Sequence, residues 1–180
     1  MKIRQRAVRT GVWITVAAVG AVALASGAGT VRGQEARHAT VFTATLSGFE
    51  QVPSILSNGT GTFSLTINGT TSITYRLSYS GLSSPVTQAH VHFAQRGVNG
   101  GIIFFLCGGP KPACPAAGTV TGTVVASDVN PPGDPEPVTA QGIQPGDLAG
   151  TIRAIRSGNT YANVHTTTFP GGEIRGQLAG

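Results

Sequence analysis

Beyond residue 40 the chain alternates apolar and polar residues with period two, the pattern of strands that bury one face. Phe42, Ala44 and Leu46 alternate with Val41, Thr43 and Thr45. Phe63, Leu65 and Ile67 share one face of the next run, and Ile73, Tyr75, Leu77 and Tyr79 share one face of the run after it. Asn68-Gly69 between them is hairpin turn chemistry. Further strand-like runs cover 87–93, 101–107, 119–126, 148–155, 160–166 and 173–178. The run 101–107 is almost wholly apolar, as expected of a strand buried on both faces. Segment 128–146 holds Pro131, Pro132, Pro135, Pro137 and Pro145 and reads as a long surface loop. No segment after the N-terminal region shows helical periodicity of useful length. Roughly nine short strands with Gly, Pro and Asn turns predict an all-β domain, a Greek-key β-sandwich or barrel.

The N-terminus has a different pattern. Lys2, Arg4, Arg6 and Arg9 precede an uncharged apolar run over 11–24, and small residues follow. This is the order of a signal peptide over 1–28, with cleavage expected near 25–28. The alternative is an uncleaved anchor, for which the run is short, since a span needs ~20 residues. Residues 29–40 read as a flexible lead-in that carries a solvated His38, and 41–179 as the folded domain. Export to the periplasm, cell envelope or exterior is therefore expected.

Charge changes its meaning once the signal is set aside. The whole chain has 12 basic and 7 acidic residues, a net charge of +5. Four of the basic residues lie in the signal, which leaves eight against seven, a net of +1. No basic stripe remains for nucleic acid and no polybasic patch for a membrane. No membrane span is expected after signal removal, and the domain is read as a monomer.

Cys107 and Cys114 are separated by Gly-Gly-Pro-Lys-Pro-Ala. In an exported chain this reads as a local disulfide. On the chain-entropy account so small a ring contributes roughly 2.5 kcal/mol. Two free thiols or a metal pair are the alternatives, the latter weak without a second cysteine pair.

Three of the four histidines lie in a half-repeat. Ala89-His90-Val91-His92 leads to Gly100-Gly101, and Ala162-Asn163-Val164-His165 leads to Gly171-Gly172. Both Gly-Gly pairs are expected to permit positive-φ turns. On a strand, His90 and His92 share a face with Cα atoms ~6.7 Å apart. Two such imidazoles can converge on one metal, with His165 as third ligand if its strand lies alongside. An imidazole-only set suits copper or zinc. The alternative is a structural network, with the histidines bound to backbone carbonyls and to Glu50 or Glu173. Glu50, Glu173 and Arg175 are the candidates for a supporting shell, and Glu173 with Arg175 for a salt bridge to an adjacent strand. His90 has Asn163 as its counterpart in the repeat, so His90→Asn is expected to be tolerated by the fold.

Several of these segments together resemble the CHRD (chordin-type) domain family over about 41–178. The resemblance rests on Leu46-Ser47-Gly48-Phe49-Glu50-Gln51-Val52-Pro53, Ala89-His90-Val91-His92, Phe105-Leu106-Cys107, Tyr161-Ala162-Asn163-Val164-His165 and Pro170-Gly171-Gly172-Glu173-Ile174-Arg175-Gly176-Gln177-Leu178. It implies an immunoglobulin-like or Greek-key β fold and a non-enzymatic extracellular role, and it supplies no catalytic residues. A fainter resemblance is to Cu/Zn superoxide dismutase, which also uses a strand His-x-His, a later strand histidine and a Gly-Gly segment near the C-terminus. The connecting loop offers no bridging histidine and no clear zinc aspartate. No serine sits in Gly-x-Ser-x-Gly and no carboxylate pair stands out. The expected function is an exported, non-catalytic binding or interaction module for an extracellular or envelope ligand. The alternative is a copper- or zinc-binding metalloprotein, possessing redox activity, at His90, His92 and His165.

Overall fold

The computed structural model describes residues 40–133 and 138–180. The segments read as signal and lead-in, with His38, lie outside the described residues except for Thr40. Eight strands follow in order: β1 Val41–Ser47, β2 Thr60–Asn68, β3 Ser72–Ser80, β4 Val86–Phe93, β5 Ile102–Cys107, β6 Gly118–Val124, β7 Thr160–Thr166 and β8 Ile174–Gln177. All pair antiparallel in one sheet of order β5-β4-β7-β8-β1-β2-β3-β6, which curls into a nearly closed barrel. The chain crosses over between β3 and β4 and again between β6 and β7, so β6 lies beside β3 and β7 beside β4. That is Greek-key connectivity. The Tyr75 hydroxyl donates to the Leu106 carbonyl at 2.8 Å, tying β3 to β5 near the seam. It can reach because Gly122 of β6 has no side chain to block the phenol. The predicted Cys107–Cys114 disulfide is formed.

The barrel interior is the apolar set that the alternation predicts: Phe42, Leu46, Phe63, Leu65, Ile73 and Leu77 on one half, Ala89, Val91, Ala162, Val164 and Ile174 on the other. The outer faces of the two halves differ. Across β1, β2, β3 and β6 the outer rows are solvated hydroxyl positions, such as Thr45–Thr62–Ser78–Thr119. Across β5, β4, β7 and β8 the outer face is buried as well: every residue of β5 and β7 is buried. Segments 48–59, 94–101 and 167–173 cover it. A second, polar layer is thus enclosed outside the barrel, and three histidines lie in it.

Two expectations fail. The run 148–155 is not a strand but helix α1, Leu148–Arg156. Leu148, Ile152 and Ile155 fall at i, i+4 and i+7 and are buried on one face. Asp147 caps the first turn, accepting the Gly150 N–H at 2.7 Å. β-branched Thr151, Ile152 and Ile155 give the same letters a strand-like look; the cap and the 3.6-residue period win. Segment 128–146 is not wholly a surface loop either. Val129, Asn130, Val138 and Ile143 are buried, and Asn130 donates to Thr139 Oγ1 and the Ile143 carbonyl. Proline density marks the loss of regular structure but does not say which side chains turn inward. Among the described residues no helix is long and apolar enough to cross a membrane.

Candidate metal centre

Strands β4 and β7 bring the two half-repeats into direct contact. His90 pairs across the ladder with Asn163, its own counterpart in the repeat. A local two-fold axis therefore passes through that residue pair. It relates His92, opposite Tyr161, to His165, opposite Gln88. His92 and His165 lean toward the axis from either side, and His90 stands on it. The ring centroids are 5.3 Å apart for His90–His92, 4.6 Å for His90–His165 and 6.2 Å for His92–His165. One ligating nitrogen from each of the three lies within 4.8 Å of the others. The residues are 1%, 2% and 5% exposed in chain order.

The loops that follow each strand fix two of the rings. His92 Nδ1 donates to the Gly100 carbonyl at 2.9 Å, and His165 Nδ1 to the Pro170 carbonyl at 2.8 Å. A carbonyl can only accept, so in both rings Nδ1 holds the proton and Nε2 the lone pair. Gly100 is needed here for close approach rather than for positive φ, since a side chain would collide with the Phe93 carbonyl. Gly172 does sit at φ +113, and a side chain there would press on the Asn163 amide and Gln51. The two Gly-Gly segments thus serve different local needs.

His90 Nδ1 lies 3.3 Å from His92 Nε2. Nitrogens bound at ~2.0–2.1 Å to one tetrahedral ion would stand about 3.3–3.4 Å apart. His165 Nε2, left with its lone pair, is buried with no hydrogen-bond partner. Buried polar atoms without partners are uncommon and call for an explanation such as an ion. The residues fit a metal of the imidazole-binding class, with His92 and His165 oriented through Nδ1 as metal-ligating histidines usually are.

Electrostatics keeps the rings neutral. Burial pulls the His92 pKa down to about 3; the Gly100 carbonyl opposes this, and His165 and Arg175 add to it. Burial likewise lowers His90, helped by His165 and His92. His165 is lowered by burial against the pull of the Pro170 carbonyl. Neutral imidazole is the form that ligates a metal.

The proposed supporting shell is only partly present. Arg175 is in place: its guanidinium stacks 3.4 Å from the centroid of Tyr161, whose ring lies parallel to His92 at 4.7 Å. Arg175 also donates to Asn99 Oδ1 and to the Val98 carbonyl, just ahead of the Gly100 that orients His92. Glu50 is held in an exposed ion pair with Arg96 rather than bonded to a histidine, and its charge reaches Arg175. Glu173 is buried but forms no salt bridge with a strand. Its carboxylate accepts from Ser57 Oγ, Ser83 Oγ, Ser83 N–H and Thr166 Oγ1. Burial pushes its pKa up, and these four bonds outweigh that and hold it below the ordinary value. The histidines do bind backbone carbonyls, but neither carboxylate serves them.

Three participants escaped the sequence reading. Tyr161 alternates with Asn163 and His165 on one face, so period two was an available signal. Phe105 packs edge-on against His90 at 4.6 Å. Gln51 donates to Asn163 Oδ1 at 2.7 Å, pinning the covering segment beside the axis; no local pattern reveals a bond 112 residues apart.

The CHRD domain family matches residues 42–178. No curated protein matches the chain. The match covers most of the sequence, and the chain belongs to the CHRD domain family.

Proposed function

We propose that this CHRD-domain protein is an exported metal-binding module that holds one copper or zinc ion at His90, His92 and His165. The observation that carries the reading is the pair of Nδ1 bonds to the Gly100 and Pro170 carbonyls, which leave lone pairs at His92 and His165 Nε2 inside a buried cluster. A purely structural network would be expected to give its buried nitrogens partners; here His165 Nε2 has none. The bound ion would supply Lewis acidity or redox capacity, while the chain supplies orientation and exclusion of water. The role is binding rather than catalysis, with a redox-active centre as the alternative.

Export rests on the charge and apolar pattern of residues 1–28. A second reading is an interaction module for an extracellular or envelope ligand. Phe49 and Leu56, 68% and 86% exposed on the segment that covers the histidines, favour it. Metal analysis of the mature, tag-free protein tests the first reading. A stoichiometric ion that is lost on His92→Ala is expected. A well-folded protein that takes up neither copper nor zinc would overturn it.

A further inference from the structure

Resting on the three-histidine site proposed above, we infer that it is selective for copper in the cuprous state, and that the Arg175–Tyr161 stack enforces the choice by charge. Imidazole alone does not select, because it suits zinc and both states of copper. The surroundings of the rings do.

Coordination number is the first reason. Zinc favours four ligands and cupric copper a square-planar or tetragonal set, whereas cuprous copper is satisfied by three. Among the described residues the cluster contains three histidines and no cysteine or carboxylate. All three are buried.

Net charge is the second. The ligands are neutral. The nearby carboxylates are committed, Glu50 to Arg96 and Glu173 to Ser57, Ser83 and Thr166. Taking an ion out of water costs an amount that grows with the square of its charge, about fourfold more for a dication than a monocation. No anionic ligand repays that cost here.

Arg175 is the third. It is 2% exposed, and its hydrogen-bond acceptors are the neutral Asn99 side chain and Val98 carbonyl; the charges of Glu50 and Arg96, paired with each other, act on it in opposite senses. The guanidinium is 3.4 Å from the Tyr161 ring and that ring 4.7 Å from His92, so a fixed cation stands roughly 8 Å from the ligand ring. It repels a dication more than a monocation. Arg175 is thus a positioning residue, acting on the metal through field and through Tyr161.

The test titrates the full folded domain with Cu(I) under reductant against a chromophoric cuprous chelator, and separately with Cu(II) and Zn(II). Cu(I) is expected to bind one ion per chain and to exceed both dications by about a hundredfold or more. Arg175→Gln should cut the preference for Cu(I) over Cu(II) by about tenfold, a fall of 59 mV in potential for a one-electron couple. Arg175→Lys, which keeps the charge, should retain most of it. Zn(II) or Cu(II) binding as tightly as Cu(I) in the wild type overturns the inference and leaves the metal site standing. Failure of all three ions to bind overturns the site itself. If Arg175→Gln does not fold, the wild-type ranking still decides selectivity, and the Lys variant decides charge: a potential lowered as far as a tenfold loss would remove Arg175 from the account.

Discussion

The Tyr161 ring lies flat against His92, 4.7 Å away and within 1° of parallel, with the Arg175 guanidinium on its other face. Tyr161 thereby limits the tilt of a ring whose Nδ1 is already tied to Gly100. Tyr161→Leu should keep the position filled and remove the stack. Metal affinity is expected to fall 10- to 100-fold, the usual effect of losing an orienting neighbour. Competition titration measures it, and unchanged affinity would show that the Gly100 bond orients His92 unaided.

Acid should unfold the metal-free protein early. All three histidines have folded pKa values below the ordinary 6.5, His92 at about 3. Below pH 6.5 the unfolded chain binds protons that the folded chain refuses. Stability is therefore full above that pH and falls as pH drops, by up to ~1.4 kcal/mol per pH unit for each histidine. Glu173, also lowered, adds its loss only below its ordinary value of 4.5. Denaturant melts at pH 8, 6 and 5 should show the decline. A flat profile down to pH 5 would mean that the rings gain protons without unfolding. Bound metal should raise the melting temperature throughout, because it binds only the folded chain.

Glu173→Gln should damage the fold rather than the metal. The carboxylate ties Ser57 and Ser83 to Thr166, and an amide cannot accept all four donors. A loss of about 2–4 kcal/mol is expected in denaturant titrations. Metal affinity of the folded fraction should match wild type. A selective loss of metal with normal stability would restore Glu173 to the supporting shell.

His90→Asn should leave stability within about 1 kcal/mol of wild type, since Asn already occupies the facing position, His90 Nε2 has no bond to lose and the Nδ1 contact with His92 is long at 3.3 Å. Metal binding should disappear. Thermal melts of the metal-free variant give the check: a large loss there would make His90 a structural residue.

Most of the barrel was legible because its strands have one wet and one dry face somewhere along their length. Phe63, Leu65 and Ile67 could only alternate inward. The half that carries the site was legible differently, since β5 reads as apolar throughout and its doubled burial follows. Helix α1 was missed because Ile152, Ile155 and Thr151 carry strand propensity, and only the 148, 152, 155 spacing behind Asp147 says otherwise. The histidine cluster was legible from spacing and repeat. The carboxylates misled, because nearness in sequence to a turn or Gly-Gly segment does not fix where a side chain points. The Gly100 and Pro170 carbonyls that orient the rings are backbone atoms, which no residue type announces.

An exact duplication of the histidine strand would supply four imidazoles, and two of them would face one another where the axis crosses the sheet. Directly opposed side chains on paired strands stand only ~4.5–5.5 Å apart at Cβ. Asn163 resolves the crowding by breaking the symmetry at the single position where each residue meets its own image. Its amide, freed from any ligand duty, accepts from Gln51 and holds the cover down. One copy of the motif thus carries the donor while the other carries a latch, and an even-numbered repeat holds an odd-numbered, closed cluster.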